Sequence, residues 1–300
     1  MVNFIKNLNR TIVFWLLFLL SIGVVIYGGY CNSRANAIVD VVAEDDLVLP
    51  PLVEATSYLV GRIDTGEILT EKNYSLHLFP ASLSKLVTAI AIIDSIPLDS
   101  NILITSYAVS TEGDEGELKE GEIMEAQDLL EVLLLTSSND AAMAFSEHFS
   151  QIDKNIVDTM RKKLEIMHLY NTALFDATGL DRQGNFTTTD DLFTLSKIIY
   201  KQYPLLGMIT RQKRAEVYSH SGEIKHVLNN TNELVDQLPY FWGGKTGSTP
   251  EAKDCLLSIY EFPSDSEYGK IPVAIIILHS SDRFEDTKKL YYWVQQIINL

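Results

Sequence analysis

The chain has 300 residues, room for one large domain or two modest ones, and 46% of them are hydrophobic, enough to bury a substantial core. Its formal charge is −16; removing the three basic residues of segment 1–37 leaves 21 basic against 40 acidic side chains, a net of −19. A surface of that sign repels phosphate backbones and excludes nucleic acid as an expected partner, and two cysteines are too few for a disulfide framework.

Segment 1–37 reads as an export signal. Lys6 and Arg10 precede an uncharged stretch, almost wholly apolar over residues 12–27. Positive charge ahead of the apolar run predicts an N-terminus inside and the bulk of the chain outside the cytoplasmic membrane. Ala35-Asn36-Ala37 is an A-x-A site that a signal peptidase could cut. The run approaches spanning length, however, and the site lies about ten residues beyond its end. A retained membrane anchor is therefore expected, with secretion after cleavage near Ala37 as the alternative. Cys31 follows Gly28-Gly29-Tyr30, and the bulky Tyr30 fits a lipidation site poorly. Residues 38–54 mix acids, Val and a Pro-Pro pair without helical period and read as a linker. Residues 55–300 form the working domain.

Two strand-like runs, 57–63 and 67–71, flank a hairpin turn at Asp64-Thr65-Gly66. Pro80 precedes an apolar helical pattern over 83–93. The middle of the chain is helical, over 126–135, 140–149, 155–169 and from Thr188 to about Tyr203. Thr188 and Asp191 have the spacing of a capping box. Residues 175–186, rich in Gly and Asp, form an ordered loop. From Gly207 the pattern turns to short extended pieces. Strong strands follow at 254–261 and 271–279, joined by a polar turn at 263–269, and a closing helix at 284–298 presents Leu290, Val294, Ile297 and Ile298. Strands come from both ends of the chain and helices lie between, so one sheet built from the two termini is expected, an α+β arrangement.

Three strings carry chemistry. In Ser82-Leu83-Ser84-Lys85, a spacing of three on a helix puts Ser82 and Lys85 on one face. A serine hydroxyl is a weak nucleophile until a base takes its proton, and lysine becomes that base when burial or a nearby cation lowers its affinity for protons. The plainer reading is a helix-capping serine and a surface lysine. Ser137-Ser138-Asn139 falls at a junction between two helices. There Ser137 could relay a proton and Asn139 could hold Lys85 and a substrate amide, or both could simply cap. Lys245-Thr246-Gly247 could bind a substrate carboxylate on a strand edge, with Gly247 admitting a close substrate backbone, or could be an ordinary Gly-rich turn. Zinc hydrolysis lacks ligands, since there is no H-E-x-x-H and no Cys cluster. No G-x-S-x-G elbow occurs either.

The conjunction, in this order, resembles the signature of the serine D-Ala-D-Ala carboxypeptidases, the low-molecular-mass penicillin-binding proteins. The stretch from Pro80 to Ala89 resembles their opening motif. Ser137-Ser138-Asn139-Asp140-Ala141-Ala142 is similar to S-G-N-D-A-A. Asp176-Ala177-Thr178-Gly179-Leu180-Asp181 is similar to N-P-H-G-L-D, and Asn230-Thr231-Asn232 leading to Gly244-Lys245-Thr246-Gly247-Ser248-Thr249 is similar to the third motif. The likeness spans about residues 55–298. It departs at Asp176 and Thr178, where Asn and His or Ser are usual, and at Ala252-Lys253-Asp254, where A-G-aromatic is common. The chain also stops after the closing helix, leaving an N-terminal anchor as the expected attachment.

The resemblance implies the penicillin-recognising serine enzyme (DD-peptidase/β-lactamase-like) fold: a five-stranded antiparallel sheet flanked by helices, an all-helical subdomain, and a site between them. It implies removal of the terminal D-Ala from peptidoglycan stem peptides through an acyl-serine intermediate. Ser82, Lys85 and Ser137 would be catalytic. Asn139, Lys245, Thr246, Gly247, Ser248 and Arg283 would bind substrate, with the backbone N–H groups of Ser82 and Ser248 forming the oxyanion hole. Arg283 could equally make a surface ion pair with Asp286. β-Lactams would acylate Ser82, and no cofactor is implied. Alternatives are a D,D-endopeptidase cutting cross-links with the same residues, a β-lactamase, which lacks its E-x-x-L-N string here, and a catalytically silent peptidoglycan-binding protein.

Overall fold

The computed structural model describes residues 48–113, 116–223, 225–264 and 269–298. The export segment, Cys31 and most of the expected linker lie outside the described residues. Within the unit Pro50–Leu300, β1 (Ser57–Arg62) and β2 (Ile68–Lys72) form the expected hairpin. Gly66 takes the left-handed turn position at φ 79°.

A 3₁₀ turn (Ala81–Ser84) leads into α1 (Lys85–Ile93), of which residues 85–92 are all buried. A helix apolar on every side belongs in a core rather than on a surface. Then follow β3 (Asn101–Leu103), α2 (Ser106–Val109), β4 (Ile123–Glu125), α3 (Ala126–Leu135), α4 (Asn139–Gln151) and α5 (Ile156–Ile166). Next come α6 (Thr189–Gln202) and α7 (Pro204–Thr210). The Thr188 hydroxyl accepts from Asp191 N at 3.1 Å, so the predicted cap of α6 forms.

The expected onset of extended structure at Gly207 is corrected, because α7 runs through it. Pro204 sits in its first turn, where the missing N–H costs nothing. Gly207 is there for packing: a Cβ would stand 2.6 Å from the Trp242 ring. The extended pieces begin after it, as the hairpin of β5 (Arg214–Tyr218) and β6 (Lys225–Asn229). This hairpin and the β3–β4 pair are two-stranded sheets that pack on α3, within the helical half.

β7 (Phe241–Thr249), β8 (Lys253–Pro263) and β9 (Lys270–Ser280) complete the main sheet, in the order β2-β1-β9-β8-β7 with every neighbouring pair antiparallel. The two chain ends thus meet in one sheet, as expected. β8 and β9 are central and covered on both faces, which explains their unbroken apolar runs. Cys255, Leu257 and Ile259 of β8, with Ala274, Ile276 and Leu278 of β9, face the large core shared with the helices. On the other face, Tyr260 and Phe262 pack on Tyr291 of α8 (Arg283–Ile298), with ring centroids 4.8 and 5.1 Å apart. Leu290 and Val294 are buried as predicted, while Ile297 and Ile298 are only half-buried. Among the described residues no helix is long and apolar enough to cross a membrane.

Candidate active site

Ser82 lies in the 3₁₀ turn ahead of α1, and Lys85 is the first residue of α1. The preceding Ala81 is held at φ 47°, a left-handed conformation costly for a residue with a side chain. Lys85 is wholly buried. Its Nζ lies 2.8 Å from Ser82 Oγ, 2.7 Å from Asn139 Oδ1 and 2.6 Å from the Thr178 carbonyl oxygen. The amide and peptide oxygens can only accept, so the amine must donate to both. The serine hydroxyl alone of these three can give a proton back.

Asn139 opens α4 and reaches Lys85 from the facing helix. Its Nδ2 donates to Glu112 O at 2.8 Å, which fixes the amide orientation. Ser137 stands in the α3–α4 junction at φ 63°. Its hydroxyl is buried and finds no hydrogen-bond partner among the described residues. Ser138 is the one that caps, accepting from Ala141 N at 2.8 Å. Thus Ser137 and Asn139, left open between capping and chemistry by their sequence, are not the capping side chain of α4. Asp140 accepts from the Gly116 and Leu118 amides and ties down the loop beside the junction.

Lys245, Thr246, Gly247 and Ser248 lie within β7, the edge strand, rather than in a Gly-rich turn. Lys245 is buried and its Nζ donates to Thr246 O at 2.9 Å. Thr246 Oγ1 is 2.5 Å from Thr231 Oγ1, and Thr231 N donates to Leu135 O at 3.0 Å. β7 is thereby linked to the end of α3. Gly247 is required by contact: a Cβ would stand 2.9 Å from Ser82 N and 3.0 Å from Ala81 Cβ. The third string therefore lies against the first. Ser248, next along the strand, is exposed.

Arg283 opens α8. The expected alternative of a pair with Asp286 is corrected. Asp286 is buried and accepts from Glu54 N, Ala55 N and Ser280 Oγ at 2.9, 2.8 and 2.7 Å. Arg283 Nη1 instead donates to Gly247 O at 2.9 Å and to Asp254 Oδ1 at 3.0 Å.

One wall was missed as a functional element by sequence reasoning. Loop 175–186 supplies the Thr178 carbonyl that meets Lys85, and a backbone acceptor leaves no mark on residue type. Asp176 builds this wall. Its Oδ1 accepts from Thr178 N, Thr178 Oγ1 and Gly179 N at 2.8, 2.6 and 2.7 Å, and its Oδ2 from Asn185 Nδ2 at 3.1 Å. Arg182 adds an ion pair at 3.2 Å. Burial works to raise the Asp176 carboxyl, but hydrogen bonds from Thr178, Gly179 and Asn185 outweigh it and hold the group below the usual carboxylate range. Gly179, at φ 83°, presses on the Ser82 turn, where a Cβ would stand 2.2 Å from Ala81 O. The Asp-x-Thr-Gly spacing, an Asx-type turn, was the available signal.

A hydroxyl beside a buried amine, between a helical half and the edge of an antiparallel sheet, is the arrangement that serine acyl transfer requires. A family model described as D-alanyl-D-alanine carboxypeptidase matches residues 45–263, and the chain belongs to that family. It is 31% identical over 208 residues to the D-alanyl-D-alanine carboxypeptidase DacF of Bacillus subtilis, a match covering 68% of this chain and 53% of that protein. The chain thus spans about half the length of that relative. It is 28% identical over 247 residues to a D-alanyl-D-alanine endopeptidase of Pseudomonas aeruginosa, covering 80% of this chain and 76% of that one. The fold matches the crystal structure of a Mycobacterium tuberculosis D-alanyl-D-alanine carboxypeptidase with a TM-score of 0.73 at 23% identity, over 83% and 94% of the two chains. It matches the Streptomyces K15 DD-transpeptidase with a TM-score of 0.71 at 24% identity, over 82% and 98%. The expected fold class, a penicillin-binding-type α+β fold, is therefore borne out.

Proposed function

We propose that the chain is a serine D-Ala-D-Ala carboxypeptidase that removes the terminal D-Ala from peptidoglycan stem peptides. The contact of Lys85 Nζ with Ser82 Oγ at 2.8 Å, between two buried side chains, carries this reading. With Lys85 neutral, its two N–H groups serve Asn139 and Thr178, and its lone pair takes the Ser82 proton. Ser82 Oγ then bonds to the carbonyl carbon of the penultimate D-Ala. The backbone N–H groups of Ser82 and Ser248 stabilise the oxyanion. As the C–N bond breaks, the proton passes from Lys85 through Ser137 to the leaving amine. Water, with Lys85 again as base, releases the product acid and restores the hydroxyl. Lys245 and Thr246 hold the terminal carboxylate, with Arg283 beside them, and β-lactams acylate Ser82 in the substrate's place. The enzyme works outside the cytoplasmic membrane, held there by segment 1–37 or released near Ala37.

The same residues serve a D,D-endopeptidase, and the 80% chain coverage by a relative of that name favours it as the second reading. Incubation with a stem pentapeptide and with cross-linked dimers, followed by mass analysis, separates the two. Loss of one alanine from the pentapeptide is expected, and cleavage of dimers alone would transfer the assignment to the endopeptidase. Fluorescent penicillin should label wild type and not Ser82→Ala; label retained by that variant would remove Ser82 as nucleophile.

A further inference from the structure

The sheet places a carboxylate of this chain on Arg283, one of the two cations expected at the carboxylate end of the substrate. Asp254 stands in β8 directly opposite Ser248 of β7 and Ser280 of β9. Directly opposite residues of an antiparallel pair project to the same face. From there Asp254 Oδ1 accepts from Arg283 Nη1 at 3.0 Å, and the same nitrogen donates to Gly247 O at 2.9 Å. Gly247 is the residue that touches the Ser82 turn, so this ion pair borders the site itself.

The pair has the form of an exchangeable contact. Arg283 uses one nitrogen for both bonds, and its buried Nε finds no hydrogen-bond partner among the described residues. Arginine holds a carboxylate most strongly through two parallel N–H bonds, and here the carboxylate has only one. Both side chains remain partly open to solvent, at 15% for Arg283 and 33% for Asp254. A second carboxylate, Asp181, lies across the β7–β8 turn, accepting from Thr249 Oγ1 at 2.6 Å and Glu251 N at 3.1 Å. An incoming carboxylate at this end must displace one acid from the arginine and approach another.

We propose that Asp254 is a specificity-determining residue that competes with the substrate's terminal carboxylate for Arg283. It lowers the preference of this enzyme for substrates ending in a free carboxylate and admits leaving groups in which that carboxylate is blocked. Asp254 acts through Arg283 and touches no reacting atom. The inference rests on the acyl-serine peptidase reading above.

The test is steady-state hydrolysis of an acylated tripeptide ending in D-Ala-D-Ala and of the same peptide as its C-terminal amide. Wild type should prefer the free acid by less than about tenfold in kcat/KM, since one compensated charge gives little discrimination. Asp254→Asn should lower KM for the free acid about five- to tenfold, a gain of the size expected for one net hydrogen bond in a partly solvated site. Its kcat and its KM for the amide should stay within about twofold. Adding Arg283→Gln should erase the gain, and Asp254→Ser serves if the Asn variant does not fold. A strong free-acid preference in wild type would overturn the inference. So would a KM change shared by both peptides, or a gain that survives the loss of Arg283. Fluorescent penicillin separates the two levels. Wild type that never labels overturns the acyl-serine reading and this inference with it. Labelled variants without a carboxylate-specific change overturn this inference alone.

Discussion

Replacing Asp176 with Asn restores the residue usual in the resembled loop, yet in this chain it should destabilise. The Asn Oδ1 can still accept from Thr178 N, Thr178 Oγ1 and Gly179 N. The other oxygen, however, becomes an NH₂ group facing Asn185 Nδ2. Asn185 cannot turn to meet it, because its own Oδ1 accepts from Phe175 N at 2.8 Å and its Nδ2 donates to Leu180 O at 2.9 Å. Two buried donors then oppose each other, and the Arg182 pair is lost. The unmet donor costs about 1–3 kcal/mol. The half-exposed Arg182 pair adds at most about 1 kcal/mol. For a domain of this size about 2 kcal/mol lowers Tm by about 4–8 °C. Acylation by penicillin should change little in this variant, because the three bonds that present the Thr178 carbonyl to Lys85 survive. Asp176→Ala removes those bonds as well and should slow acylation too.

The pH dependence gives a second reading of the same carboxyl. Its folded-state pKa is depressed, so its contribution to stability is fully present above the unfolded value, about 3.9. It disappears as pH falls through the depressed folded value. Urea unfolding from pH 7 down to pH 3 should therefore show a shallower loss of stability for Asp176→Asn than for wild type, starting from a lower plateau. A variant as stable as wild type at pH 7, with an unchanged acid slope, would refute the account of this wall.

Lys85→Met keeps the buried volume but removes the proposed base, and the rate of penicillin acylation should fall by about 10²–10⁴-fold in stopped-flow measurements. A fall of less than tenfold would mean that another group takes the Ser82 proton. Cys255 lies in β8 opposite Gly247 of β7, and burial pushes its thiol up to about 12. In the isolated domain it should therefore stay unmodified by a disulfide reagent at pH 8 and react fully once the domain is unfolded in guanidinium. Reaction in the folded state at the unfolded rate would show that this strand opens.

Residue types carry part of this fold and site, and the remainder depends on register and backbone direction. β8 and β9 were legible because central strands covered on both faces need apolar residues at every position. Ser82 and Lys85 were legible because a spacing of three brings them to one face locally. The Thr178 carbonyl was not, since any residue type can present one. Gly207 was misread because its role, clearance for the Trp242 ring, belongs to a partner distant in sequence. Gly243 and Gly244 suggested a turn for the same reason. A Cβ on Gly243 would stand 2.7 Å from Thr210 Oγ1, and one on Gly244 would stand 2.4 Å from Leu257 O. Both glycines are strand positions crowded from outside.

Both departures from the resembled pattern place a carboxylate in the walls of the site rather than at its centre. Asp176 organises the loop whose backbone reaches Lys85, and Asp254 engages the arginine at the far end of β7. Neither is a partner in the hydrogen bonds that Lys85 makes with Ser82 and Asn139. A substitution that touches only a wall can change which substrate fits, how tightly the loop is held and how stability follows pH, while the hydrogen bond between Ser82 and Lys85 keeps its geometry. On this view the chemistry of the chain should be tested at Ser82 and Lys85, and its individuality at Asp176 and Asp254.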